Sequence, residues 1–232
     1  MTLAAVLFDL DGVLVDSEPL WTVAEEELAA GLGVVWSGAV KAAVLGTRLE
    51  AAVPQALELL GVEVTAAAVM DASGFLLTRM AELFRLDLPV FEGALELVDA
   101  VRAAGMRTAL VSSSYRILVD AALERLGTHR FDVSVAGDEV PAGKPAPDAY
   151  LQACRTLGVP PGDTVVLEDS LAGVVSAEAA GCAVVAVAGV VPVPQTPGRA
   201  VVRSLLEVEL PWLLSCRPAG RAPSADGDPR PA

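Results

Sequence analysis

Phe8-Asp9-Leu10-Asp11-Gly12-Val13-Leu14-Val15-Asp16-Ser17-Glu18 closes an apolar run, Leu3 to Phe8, with two aspartates spaced i, i+2 and a glycine. Such a run suits a strand buried on both faces, as in parallel α/β sheets, where functional groups gather in the crevice beyond the carboxyl ends of the strands. Two carboxylates placed there can hold a metal ion and share nucleophilic and proton-transfer work. Asp-x-Asp-Gly also occurs in solvated turns and in calcium loops. The calcium reading fails on Val13-Leu14-Val15, apolar where such a loop needs further oxygen ligands.

Outward from this stretch, the sequence changes character after Asp16. Glu18 to Gly31, Val53 to Leu60 and parts of Ala66 to Leu86 have the periodicity of amphipathic helices. Residues 16–88 therefore read as a helical insertion, a cap. From Pro89 helix and strand alternate: helix Gly93 to Ala104, strand Arg107 to Val111, helix Arg116 to Leu126, strand Asp132 to Ala136 and helix Pro147 to Leu157. Strand Thr164 to Leu167, helix Ala172 to Ala180 and strand Ala183 to Ala188 follow. This order predicts an α/β fold: a doubly wound, Rossmann-like parallel sheet core formed by residues 1–15 and 89–214, carrying the inserted α-helical cap. From Ser215 to Ala232 the composition of Pro, Arg, Ala, Gly and Asp leaves too little apolar surface to order itself, so a flexible tail is expected.

The formal net charge of −14 in 232 residues repels nucleic acid and anionic membrane, and no basic stripe with interleaved aromatics occurs. The longest apolar stretch, Cys182 to Val191, contains Gly189 and stops at Pro192, too short to span a bilayer. No basic segment precedes the first apolar run, so no secretory signal and a cytoplasmic location are expected. Cys154, Cys182 and Cys216 lack C-x-x-C spacing and the single histidine, His129, lacks ligand neighbours, which disfavours zinc and disulfide readings. A monomer without nucleic-acid or membrane partners is the simplest expectation. A small phosphorylated molecule still fits such an acidic chain if a metal and one or two cations reverse the potential locally.

Three further segments fall at matching places. Ser112-Ser113-Ser114 follows the strand ending at Val111, Glu168-Asp169-Ser170 follows the strand ending at Leu167, and Gly143-Lys144-Pro145 opens a helix. Parallel strands would bring Asp9, Asp11, Ser112, Glu168 and Asp169 to one rim, with Lys144 reaching it from a helix N-terminus. A phosphate monoester repels an anionic nucleophile, so a carboxylate attacks it only where a divalent cation and a lysine offset that charge. Asp9 is placed to attack phosphorus, and Asp11 to protonate the leaving oxygen and later take a proton from water. Asp9 and Asp169 offer hard oxygens to Mg²⁺, with Glu168 a further metal-site carboxylate holding a metal-bound water or the lysine. Ser112 and the amide of Ser113 would hold phosphoryl oxygens. Lys144 is one of only two lysines in a chain that otherwise uses arginine.

Taken together, Asp9-x-Asp11-Gly12, Ser112, Lys144 in GKPAPDAY and Glu168-Asp169-Ser170 with Ala172-Gly173 resemble the haloacid dehalogenase superfamily over roughly Leu3 to Leu214. The resemblance implies a magnesium-dependent hydrolase that forms an aspartyl-phosphate, with the backbone carbonyl of Asp11 as an additional magnesium ligand. DSEPLW at Asp16 to Trp21 and GKPAPDAY are similar to the branch holding sugar-phosphate phosphatases, 2-deoxyglucose-6-phosphate phosphatase among them, and β-phosphoglucomutase. Leu45-Gly46-Thr47-Arg48 resembles that branch's specificity loop, which makes Gly46 and Arg48 candidate contacts to the distal part of the substrate.

The leading expectation is a phosphatase of a small phosphorylated metabolite, a sugar phosphate. The mutase alternative is weakened because Trp21 and Leu45 stand where that family has a cap histidine and a lysine. Dehalogenation is disfavoured by Asp11, an acid that branch lacks, and phosphonate hydrolysis by the want of a cap lysine suited to a Schiff base, Lys41 being the only candidate. A non-catalytic phosphate-binding protein would be expected to have lost one of the two aspartates. Gly137 to Lys144 has one residue too many for a P-loop and Pro145 in place of its Ser or Thr, and no G-x-S-x-G is present.

Overall fold

The computed structural model describes residues 3–189, 193–196 and 199–218. Six strands form one sheet: β1 (Ala5–Phe8), β2 (Arg107–Val111), β3 (Val133–Val135), β4 (Thr164–Glu168), β5 (Ala183–Val187) and β6 (Arg199–Val202). They lie in the order β3-β2-β1-β4-β5-β6, and each pair is parallel. The order reverses beside β1, so the end of that strand opens onto the crevice where ligands bind in doubly wound sheets. Four helices, α1 (Glu18–Gly31), α2 (Gly38–Val44), α3 (Leu49–Leu59) and α4 (Ala66–Leu86), follow β1 and form the inserted cap. The core helices are α5 (Ala94–Ala103), α6 (Arg116–Leu126), α7 (Asp148–Leu157), α8 (Leu171–Ala180) and the short α9 (Leu210–Leu213).

Strand pleating sorts the side chains of β1. Val6 and Phe8 enter the larger apolar cluster, with Val98 and Val101 of α5 and Leu118 and Ala122 of α6, whereas Ala5 and Leu7 enter a second cluster with Tyr150 and Ala153 of α7 and Val174 and Ala177 of α8. Helices thus cover both faces of the sheet. In α4 the buried residues Ala72, Leu76, Met80 and Phe84 recur every fourth position and join the larger cluster. The base of the cap and the α6 side of the core consequently share one continuous apolar interior.

Several elements depart from the expected layout. Helix α2 was not expected from so short an Ala-Val segment; Ser37 starts it, its Oγ accepting from Val40 N at 3.3 Å. Strand β6 is a four-residue edge strand that, among the described residues, pairs with β5 alone, a tertiary pairing with no local signal. Helix α7 begins at Asp148 rather than at Gly143-Lys144. Ala146 precedes Pro147, whose ring disfavours helical backbone in the residue before it. Lys144 therefore lies in a loop and not at a helix N-terminus, joined to Pro145 by a cis peptide bond. Of the expected tail, Cys216 donates from its amide to Leu213 O and packs against the larger cluster, while residues 219–232 lie outside the described residues. Among the described residues no helix is long and apolar enough to cross a membrane.

Candidate active site

The pleat that buries Leu7 on the α7 side sends Asp9, two residues on, to the same side, and Val166 of β4 is likewise followed by Glu168. Both carboxylates meet Lys144. Its Nζ donates to Asp9 Oδ1 at 2.5 Å, to the carbonyl of Val111 at the end of β2 at 3.1 Å, and to Glu168 Oε1. The Glu168 side chain is 0% exposed and Lys144 4%, so this ion cluster sits in a low dielectric where unpaired charge is costly. Glu168 is fully engaged: Tyr150 OH donates to Oε1 at 2.8 Å, and the amide and hydroxyl of Ser170 donate to Oε2 at 3.1 and 3.0 Å. The Tyr150 ring also lies 4.9 Å from the ammonium.

Asp11 is held by hydroxyls from two loops. Ser17 Oγ donates to Oδ1 at 2.6 Å, and Ser114 Oγ and Ser112 Oγ donate to Oδ2 at 2.9 and 3.2 Å. Ser112 is buried and in turn accepts from Ser114 N at 2.9 Å. Ser113 is exposed at the crest of that loop. Asp169 fits beside Asp11 because Gly12 takes φ +83° and lacks a Cβ; one built there would stand 2.0 Å from Asp169 Oδ2. Gly173 makes the matching space for Glu168, since a Cβ on it would fall 1.7 Å from Oε1.

Charge inside the cluster is unbalanced toward the acids. Burial and the neighbouring Glu168 push the Asp9 carboxyl well above the ordinary carboxylate range, with Lys144 working against them. Burial and Glu168 push Asp169 up to about 7. Burial alone would lower the Lys144 ammonium, but Asp9 and Glu168 outweigh it and hold its pKa above the ordinary lysine value. Asp9, Glu168 and Asp169 each bring a carboxylate oxygen within 4.8 Å of the others. With Glu168 taken up by Lys144, Tyr150 and Ser170, the carboxylates of Asp9 and Asp169 remain as hard oxygen donors on a rim where one lysine faces three acids, a set that fits a divalent cation of the magnesium type.

The cap reaches this rim through the start of α3. Arg48 Nη2 donates to the carbonyl of Gly137 at 3.3 Å, and its guanidinium lies against Gly143, the residue before Lys144, where a Cβ would stand 2.5 Å from Nη2. Nearby, Tyr115 OH donates to Glu50 of α3 at 2.7 Å. Gly46 is exposed, and a Cβ built on it would meet nothing within 4 Å, whereas Arg48 is tied to the rim through Gly137 and Gly143. Trp21 packs against the larger apolar cluster as a partly buried side chain.

Asp9, Asp11, Ser112, Glu168 and Asp169 thus converge, as their places after the strands imply, and Lys144 joins them from its loop. Ser17, Ser114, Tyr150 and Ser170 were given no role from sequence, yet each hydrogen-bonds one of the acidic side chains. A run of three serines and a tyrosine inside GKPAPDAY look like turn and core residues until the fold pairs them. The signal in hand was their proximity to the motifs.

The model of the haloacid dehalogenase-like hydrolase family matches residues 3–181. Protein CbbY of Rhodobacter capsulatus is 34% identical over 193 residues, covering 80% of this chain and 85% of that protein. The phosphorylated carbohydrates phosphatase of Thermotoga maritima is 32% identical over 182 residues, 76% of this chain and 81% of that one. Among solved structures, CbbY of Rhodobacter sphaeroides in complex with xylulose-1,5-bisphosphate superposes with a TM-score of 0.78 at 29% identity, covering 89% of this chain and 96% of that one.

Proposed function

This chain belongs to the haloacid dehalogenase-like hydrolases, and from that membership we propose that it is a magnesium-dependent phosphatase hydrolysing a small sugar phosphate through an aspartyl-phosphate. The observation that carries the reading is the pairing beyond β1: Asp9 held by Lys144 at 2.5 Å, with Asp11 fixed by three hydroxyls two residues away. The names of the relatives, a phosphatase of phosphorylated carbohydrates and a protein crystallised with a sugar bisphosphate, support the substrate class.

Lys144 neutralises one oxygen of Asp9 and leaves the other to attack phosphorus in line with the leaving oxygen. Asp11, aimed by Ser17 and Ser114, gives its proton to that leaving oxygen and then takes one from the water that releases phosphate. Ser112 and the amide of Ser113 face the phosphoryl oxygens from the end of β2, and Arg48 contacts the distal part of the substrate. Magnesium would be held by Asp9, Asp169 and the Asp11 carbonyl, with Glu168 at the back of the site, and it supplies positive charge to the phosphoryl oxygens. Glu168 keeps Lys144 in register with Asp9. Trp21 and Leu45 bring no proton carrier from the cap, which favours hydrolysis over a mutase reaction.

The test is steady-state phosphate release from a panel of sugar phosphates with magnesium, with β-glucose 1-phosphate products analysed in parallel. Release that disappears with EDTA and in Asp9→Asn supports the proposal. Glucose 6-phosphate formed without free phosphate would make the chain a mutase, and silence across the panel would point to a substrate outside it or to a binding role.

A further inference from the structure

Tyr150 is among the largest fully buried side chains of the molecule, and its hydroxyl is spent on a single partner, Glu168 Oε1 at 2.8 Å. That oxygen is also the one that accepts from Lys144, whose ammonium is divided between Glu168, Asp9 and Val111 O. The position of the ammonium is thus a balance between two carboxylates. A second donor on Oε1 weakens the pull of Glu168 on Lys144 and leaves more of the cation for Asp9. The Tyr150 ring, 4.9 Å from Nζ, closes the remaining side of the ammonium with a π face. Ser170 fixes the other oxygen through two bonds, so Glu168 cannot rotate to compensate for a lost donor on Oε1. Sequence explains the placement: Tyr150 is in the first turn of α7, and that helix packs on the sheet face to which Asp9 and Glu168 also point.

We infer that Tyr150 is a positioning residue for phosphoryl transfer, which sets how Lys144 is shared between Glu168 and the nucleophilic carboxylate of Asp9. It touches neither substrate nor metal and acts through Glu168. The inference rests on the phosphatase reading.

Tyr150→Phe keeps the ring, its packing and its contact with the ammonium, and deletes only the donor. With folding confirmed by thermal melting, turnover of an aryl phosphate in magnesium is expected to fall about tenfold in kcat, the size of a lost hydrogen bond to a charged group. KM and the magnesium activation constant should stay within about twofold. In a Glu168→Gln background the same substitution should change kcat less than about twofold, because the carboxylate through which it acts is gone. A packing role would instead give equal losses in both backgrounds. Equal losses, or a kcat for Tyr150→Phe within about twofold of the parent, would overturn the inference. A parent chain that releases no phosphate refutes the phosphatase reading, whereas an active parent with an insensitive Tyr150→Phe refutes this inference alone.

Discussion

Asp169→Asn should make the metal-free protein more stable at pH 8 while abolishing its response to magnesium. In the folded chain Asp169 is pushed from 3.8 up to about 7 by burial and by Glu168. Below pH 4 the group is protonated in both folded and unfolded states and contributes nothing. Between pH 4 and 7 the folded state retains a proton that the unfolded state has lost, so stability falls as pH rises, and above pH 7 the whole penalty is present. At about 1.4 kcal/mol per pH unit the rise corresponds to roughly 4 kcal/mol, and partial solvent access reduces this to about 2–4 kcal/mol. Asparagine is nearly isosteric and cannot ionise. In EDTA at pH 8 the variant should therefore melt roughly 5–15 °C above the parent, a gap that closes toward pH 4. A residual pH slope remains from Asp9, which burial and Glu168 shift in the same direction. Magnesium at about a hundredfold excess over its dissociation constant should add about 2.7 kcal/mol to the parent and far less to the variant. Thermal melts at both pH values, with and without magnesium, decide the matter. A variant less stable than its parent in EDTA at pH 8, still stabilised by magnesium, would refute the assignment of Asp169 as a strained metal-binding carboxylate.

Gly173→Ala places a methyl 1.7 Å from Glu168 Oε1, and overpacking of this kind costs about 1–3 kcal/mol; urea unfolding should show that loss together with a lower kcat, and an unaltered kcat would separate Glu168 from the chemistry. Calcium in place of magnesium should inhibit, because it prefers more ligands and a looser geometry; undiminished initial rates with calcium would count against the metal assignment. Arg48→Ala removes the guanidinium from Gly137 and Gly143 and should raise KM for a sugar phosphate roughly tenfold with kcat changed less, while kinetics indistinguishable from the parent would remove Arg48 from the substrate site.

The acidic rim was legible because its residues sit at strand ends, where an apolar run breaking into Asp9 or Glu168 marks both the strand and its exit. Parallel pairing then does the rest, and the register Phe8 to Leu110 and Leu167 brings the three exits level. The supporting shell was not legible, since Tyr150 meets Glu168 only when α7 packs on the sheet face to which Glu168 points, and Ser17 meets Asp11 only when the chain turns into the cap. Local pattern also understated the periphery. Helix α2 is only seven residues long, and β6 is an edge strand that gains its hydrogen bonds from β5 rather than from its own sequence. The loop position of Lys144 follows from Pro147, a breaker that was visible but set against the preference of prolines for the first turn of a helix.

Covalent catalysis by Asp9 is the central claim, and Asp11→Asn offers the most direct view of it. An aryl phosphate has a leaving group that needs little protonation, so Asp9 can still be phosphorylated in this variant, whereas the hydrolytic step loses its base. Rapid mixing with magnesium should release a burst of about one aryl alcohol per enzyme, and peptide mapping after acid quench should find the phosphoryl group on Asp9. A slow linear release without a burst and without label on Asp9, or label on another residue, would contradict the account.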